Sequence, residues 1–144
     1  MSTRARASDA ASPTLPTSLL VDTQLLLWAA FEPTRLSPRA RALLVSRTHA
    51  LCFSLASVWE VALKTSLGRE DFRVDAALLH KALVAEGWAE VPIAPPHLFR
   101  VGTLPWVHRD PFDRLLVAQA MEEGLALLTA DASLAGYGPC VHPV

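Results

Sequence analysis

From Ser18 onward the chain alternates short apolar runs with longer stretches of helical periodicity, an alternation that points to a parallel α/β sheet. Strands are expected at residues 19–21, 50–53, 89–93 and 125–128, with a fifth at the edge over residues 140–142. The first strand ends at Asp22, and a helix follows through Leu25, Leu26 and Trp28, stopping near Pro33. Ser37-Pro38 starts the next, with a hydroxyl N-cap and proline at the first helical position. After the second strand, Ser54 or Ser57 caps a helix carrying Val58, Val61, Ala62 and Leu67, closed by Gly68. A helix through Leu79 and Leu83 ends at Gly87, and a short one is expected around Leu98 and Val101. Asp110-Pro111-Phe112-Asp113 opens an amphipathic helix with Leu116, Val117, Ala120 and Met121 on one face, ended by Gly124.

The length of 144 residues suits one domain with a real core. That domain is expected over residues 18–144, behind a polar, proline-containing N-terminal tail of residues 1–17 that is disordered and carries no chemistry. Hydrophobic residues make up 51% and charged residues 19%, an apolar excess that anticipates surface meant for a partner. The net charge of −1 gives no overall pull toward nucleic acid or an anionic membrane, so any nucleic-acid contact must come from a local basic patch. Cys52 and Cys140 form no metal-spaced set and read as free thiols in a reducing cytoplasm. No run reaches the roughly 18 apolar residues of a membrane span, since Asp22 interrupts the best stretch. Arg4 and Arg6 precede a Ser/Ala/Pro-rich segment rather than an apolar signal core. A cytoplasmic protein without membrane association is expected.

The acidic residues fall in telling places. Asp22 stands where the first strand becomes helix, Glu60 lies in the first turns after the second strand, Asp113 opens the late helix, and Asp131 follows the fourth strand. Ligands of open parallel sheets bind outside the carboxyl ends of the strands, so acids from distant parts of the chain are directed to one edge. Clustered carboxylates in apolar surroundings raise one another's pKa, and a divalent cation removes that penalty. Mg²⁺ and Mn²⁺ prefer oxygen ligands, and a cation so held activates water and offsets charge on a phosphodiester undergoing displacement. Taken singly, Asp22, Asp113 or Asp131 is better explained by ordinary helix capping, and the pattern as a whole leaves both readings open. Glu60 resists that explanation, because it sits between Trp59 and Val61 on a helix that otherwise reads as buried.

Four segments in order carry a family resemblance: Leu20-Val21-Asp22-Thr23 with Leu26-Leu27-Trp28, then Ser57-Val58-Trp59-Glu60, then His108-Arg109-Asp110-Pro111-Phe112-Asp113-Arg114, then Leu128-Thr129-Ala130-Asp131. From about Leu19 to the C-terminus the chain resembles PIN-domain toxins of the VapC type. The resemblance implies a three-layer α/β/α sandwich around a mostly parallel sheet of four to five strands. It implies a single-stranded RNA endonuclease using Mg²⁺ or Mn²⁺, acting as the toxin of a toxin–antitoxin pair. Asp22, Glu60, Asp113 and Asp131 match the acidic quartet, with Asp22 and Asp113 as the most direct metal ligands. Thr23 and Thr129 match hydroxyls that hold the acids or a bound water, and Asp110 is read as the helix cap. A cognate antitoxin covering the acidic site and a homodimer with RNA across both subunits are also implied. One departure is visible: Gln24 stands where this subgroup commonly has histidine, so any acid–base contact there is lost.

Arg109 and Arg114 flank the acidic opening of the late helix, and Arg69 follows the Glu60 helix; all three are candidates for RNA phosphate contact. Lys64 lies one turn beyond Glu60, where an i,i+4 pair explains it. The histidines show no ligand spacing, and His108 reads as a capping or surface residue. The four tryptophans read as core or partner surface. Two alternatives stand beside the nuclease. An aspartyl phosphatase with Asp22 as nucleophile needs a second aspartate two residues on, where Gln24 stands, and a phosphotransfer receiver needs an acid pair before the first strand. A catalytically silent module on the same fold predicts loss of an acid, and none of the four is missing.

Overall fold

The computed structural model describes residues 15–144. Five strands, β1 (Ser18–Val21), β2 (Ala50–Ser54), β3 (Ala89–Val91), β4 (Ala126–Thr129) and β5 (Val141–Pro143), form one sheet in the order β3-β2-β1-β4-β5. Every neighbouring pair is parallel. Six helices connect them: α1 (Thr23–Phe31), α2 (Pro38–Val45), α3 (Leu55–Ser66), α4 (Ala76–Ala85), α5 (Pro95–Thr103) and α6 (Pro111–Glu123).

Strand residues alternate between two cores, as the two-residue period requires. Leu19, Val21, Phe53, Ala126 and Leu128 face α1, α2 and α4, joining Leu25, Leu26, Ala40, Leu79 and Leu83. Leu20, Cys52, Leu127 and Val141 face the other way onto α6, joining Leu115, Leu116 and Ala120. Helices on both faces explain why the strands are apolar almost throughout. The three-layer sandwich is therefore present, with a sheet that is wholly parallel.

Local chemistry sets most boundaries. Ser37 caps α2 through its hydroxyl, with Pro38 at the first helical position. Gly124 ends α6 in the left-handed region at φ 67°, which favours glycine. Ser54, not Ser57, caps α3, so no loop separates β2 from the helix. β3 stops at Val91, two residues short of expectation, because Pro92 has no N–H to continue a ladder. Two short 3-10 helices, Pro33–Arg35 and Ala132–Tyr137, were not anticipated. Of the expected N-terminal tail, residues 1–14 lie outside those described. Leu15 already packs on the core, and the Thr17 carbonyl accepts from the Ala50 N–H at 2.6 Å. Both cysteines are free, Cys52 buried and Cys140 half-buried. Among the described residues no helix is long and apolar enough to cross a membrane.

The strand order decides where a site forms. The chain runs outward from β1 through β2 to β3, then returns to place β4 on the opposite side of β1. Connections therefore diverge between the carboxyl ends of β1 and β4, opening a crevice there.

Candidate active site

Asp22 is the first residue past β1 and stands at that crevice. Its N–H donates to the Leu128 carbonyl at 3.0 Å, and its Oδ1 accepts from the Leu25 N–H at 2.8 Å, capping α1. Its Oδ2 accepts from the Thr129 hydroxyl and from the Ala130 N–H at 3.2 Å. Thr129 in turn accepts from the Asp131 N–H at 2.9 Å, so one hydroxyl ties both acids to β4. Burial pushes the Asp22 carboxyl above its ordinary value despite the hydrogen bonds from Thr129, Leu25 and Ala130.

Glu60 lies in the second turn of α3 and is 5% exposed. Its Oε2 pairs with Lys64 Nζ at 2.8 Å, the i,i+4 contact its spacing implied. Its Oε1 is buried without any hydrogen-bond partner among the described residues. Asp113 lies in the first turn of α6 beneath Asp110, whose Oδ1 caps the helix by accepting from the Phe112 and Asp113 N–H groups. Burial, then the charges of Asp110, Glu60 and Asp22, push the Asp113 carboxyl up to about 7, with His108 a partial offset.

Asp131 is held differently. Its Oδ1 caps the Ala132–Tyr137 turn, accepting from the Ser133 N–H at 2.9 Å and hydroxyl at 2.6 Å. Its Oδ2 receives His108 Nε2 at 3.0 Å. Ser133 first and His108 second hold its carboxyl below the ordinary range.

His108 is the residue whose part the sequence did not disclose. Its Nδ1 accepts from the Asp110 N–H at 3.1 Å, which fixes the proton on Nε2 and aims it at Asp131. Its Nδ1 also lies 3.9 Å from Asp113 Oδ2, and His108, Asp113 and Asp131 bring ligand atoms within 4.8 Å of one another. With Nδ1 facing a donor, this ring serves as a positioning group rather than a ligand, since ligation through Nε2 needs a proton on Nδ1. The signal available was its place two residues before the helix-capping aspartate.

The other expected residues sort clearly. A cleft of about 1000 Å³ is lined by Asp22, Glu60, Asp113 and Asp131, with Gln24 beside them. Thr23 does not touch an acid: its hydroxyl donates to Ser57 Oγ at 2.9 Å, tying α1 to α3. Arg114 corrects the phosphate-contact expectation. Its guanidinium is buried, donates to the carbonyls of Pro105 and Val101 and to the Tyr137 hydroxyl, and lies 3.9 Å over the Trp106 ring. Arg109 is exposed and does not line the cleft. Arg69 lines it, in a two-pronged pair with Asp71.

The donor set suits a hard divalent cation. Three buried or half-buried carboxylates line one cleft, one oxygen has no partner, and one carboxyl is pushed up to about 7 by burial and its acidic neighbours. Asp22, Glu60 and Asp113 would hold such an ion, with Asp131 at the margin.

Two outcomes follow. Because Asp113 titrates near 7 when folded and near 3.8 when unfolded, the unfolded chain ionises first as pH rises. The contribution of Asp113 to the stability of metal-free protein, full below pH 4, should therefore fall between about pH 4 and 7 and level off above, with Asp22 adding in the same direction. Thermal melts should show that fall, a smaller fall in Asp113→Asn, and a larger Mn²⁺-induced rise in Tm at pH 7.5 than at pH 5. Separately, Arg114→Ala should lose about 2–4 kcal/mol in denaturant unfolding by orphaning buried carbonyls, while Arg109→Ala stays within about 0.5 kcal/mol.

Comparison with known proteins agrees with this architecture. The family model of the PIN domain matches residues 19–138. No curated protein matches the chain. The fold is similar to the VapBC2 complex of Rickettsia felis, solved with a DNA fragment from its promoter, at 12% identity and TM-score 0.64, covering 88% of this chain and 98% of that one. It is also similar to VapBC-5 of Mycobacterium tuberculosis, at 14% identity and TM-score 0.59, covering 90% and 98%. A toxin–antitoxin complex from Klebsiella pneumoniae gives 16% identity and TM-score 0.58, covering 88% and 99%. With a match that spans nearly the whole of its sheet and helices, the chain belongs to the PIN-domain family.

Proposed function

We propose that this chain is a metal-dependent endonuclease of single-stranded RNA and the toxin of a toxin–antitoxin pair. The observation that carries the reading is the group of Asp22, Glu60 and Asp113 at the β1/β4 crevice, which among the described residues is ion-paired to Lys64 alone and leaves Glu60 Oε1 bare. Asp22, Glu60, Asp113 and Asp131 are the proposed metal and catalytic residues, and Mg²⁺ or Mn²⁺ the cofactor. A bound divalent cation supplies Lewis acidity at the scissile phosphate and lowers the pKa of water.

The chain's own residues do the rest. Thr129, Leu25 and Ala130 fix both oxygens of Asp22, so that its remaining lone pairs keep one direction. Lys64 holds one oxygen of Glu60 and leaves the other buried without a partner among the described residues. Asp113 is the carboxyl least committed within the protein, and its charge depends most on what binds. Asp131, steadied by Ser133 and His108, keeps its charge at neutral pH beside an Asp113 pushed up to about 7. With Gln24 at the cleft wall, acid–base work at that position is absent, and Gln24 contributes hydrogen bonding alone.

Solved relatives at low identity are toxin–antitoxin complexes, which supports an antitoxin as partner here. Exposed apolar side chains such as Trp59, Leu63 and Leu67, spaced along one side of α3, give a protein partner something to cover. A homodimer and a cytoplasmic setting belong to the same proposal.

The test is cleavage of single-stranded RNA by the purified chain in Mn²⁺ or Mg²⁺. Activity should vanish with EDTA and fall at least a hundredfold in Asp22→Asn and Asp113→Asn, each checked for folding by circular dichroism. Folded wild-type protein that cleaves no RNA in either metal would defeat the enzyme reading and leave a silent PIN-fold binding module.

A further inference from the structure

The cleft extends well beyond the acids, and its outer walls repeat one chemistry. On α1, Gln24, Leu27, Trp28 and Phe31 all line it; their i, i+3, i+4, i+7 spacing makes a single helix face. Leu27 and Trp28 on that face pack partly against the core, whereas Phe31 is 58% exposed. The segment between α3 and α4 adds Arg69, Phe72 and Arg73 to the same cleft, with Phe72 half-buried. On the α1 side, the Arg35 guanidinium lies 4.8 Å over the Trp28 ring and pairs with the exposed Glu32 at 3.1 Å. On the other segment, Arg73 has no carboxylate within ion-pairing distance among the described residues.

From this lining we infer that the outer cleft is a base-stacking track for single-stranded nucleic acid. Unpaired bases lie on Phe31 and Phe72, and the adjoining phosphates meet Arg35 and Arg73. The inference rests on the nuclease reading and deepens it, naming what holds substrate beside the acids. A cleft lined by both rings and cations suits a strand that offers both bases and phosphates, and every base has a π-face to offer. A duplex cannot use such walls, because its bases are stacked on each other. The cations also answer a problem of charge. The acidic floor repels a polyanion, and the net charge of −1 offers no compensation, so attraction has to be local. Of the arginines expected to contact phosphate, Arg69 alone lines the cleft, and Arg35 and Arg73 join it there.

The experiment is fluorescence anisotropy with the full-length Asp113→Asn protein, which should bind without cutting. The probes are a labelled single-stranded RNA 12-mer and an abasic ribose-phosphate oligomer of equal length. Phe31→Ala and Phe72→Ala should each weaken binding of the base-bearing strand by about tenfold, and leave the abasic strand within twofold. Arg73→Ala should weaken both strands alike and reduce the salt dependence. Equal losses on both probes, no loss in either phenylalanine variant, or no binding by Asp113→Asn would overturn the track. Circular dichroism melts separate unfolding from lost contact. Wild-type cleavage run alongside keeps the two readings apart: cleavage with unaltered base affinity in the phenylalanine variants defeats the track alone, whereas absent cleavage defeats the nuclease.

Discussion

Like charge held out of water organises this molecule. Asp22, Glu60 and Asp113 converge where the connections of a parallel sheet diverge, and the chain supplies only Lys64 and the neighbourhood of His108 against them. In water such carboxylates would ionise independently. Here burial and mutual repulsion raise Asp22 and carry Asp113 to about 7, so the apoprotein holds charge it cannot fully stabilise. A fold tolerates that cost where the strain has a use, and an external cation is the use these oxygens suit.

Much of the remaining structure keeps the acids in place. The Thr129 hydroxyl joins Asp22 to the Asp131 backbone, linking β1 to β4 at their carboxyl ends. The Thr23–Ser57 bond sets α1 against the helix that carries Glu60. Trp59 packs edge-on to Phe112 with ring centroids 4.6 Å apart, fixing the Glu60 helix against the start of the Asp113 helix. Arg114 anchors the segment around Val101 to Pro105 from beneath, leaving the neighbouring Asp113 to face the cleft. Each acid is thus placed by contacts that do not neutralise it.

The sheet was legible because both of its faces are covered. Apolar runs such as Leu19-Leu20-Val21 have little competing reading once helical patterns separate them, and Ser37-Pro38 and Gly124 mark boundaries by chemistry any fold would respect. The four acids were legible because their positions relative to strand ends carry the topology. What escaped depends on partners chosen in three dimensions. A lone arginine near an acid reads the same whether it faces solvent or, as with Arg114, three acceptors and a tryptophan ring. His108 had no spacing to announce it, since its partners lie two and twenty-three residues away. Trp28 was left between core and partner surface, because periodicity reports that a helix has an apolar side and not what that side meets; it packs partly on the core and also lines the cleft.

The claim that the uncompensated acids form a cation site is tested most directly by titrating Mn²⁺ into the protein at pH 7.5 by calorimetry, without RNA. Wild type should bind with fractional proton release to the buffer, as the ion displaces the protons that Asp113 still carries. Glu60→Gln, which keeps the shape of α3 and removes the bare carboxylate, should weaken that binding by at least tenfold while the thermal melt stays cooperative. Mn²⁺ bound equally well by wild type and Glu60→Gln, with no protons released, would contradict the account.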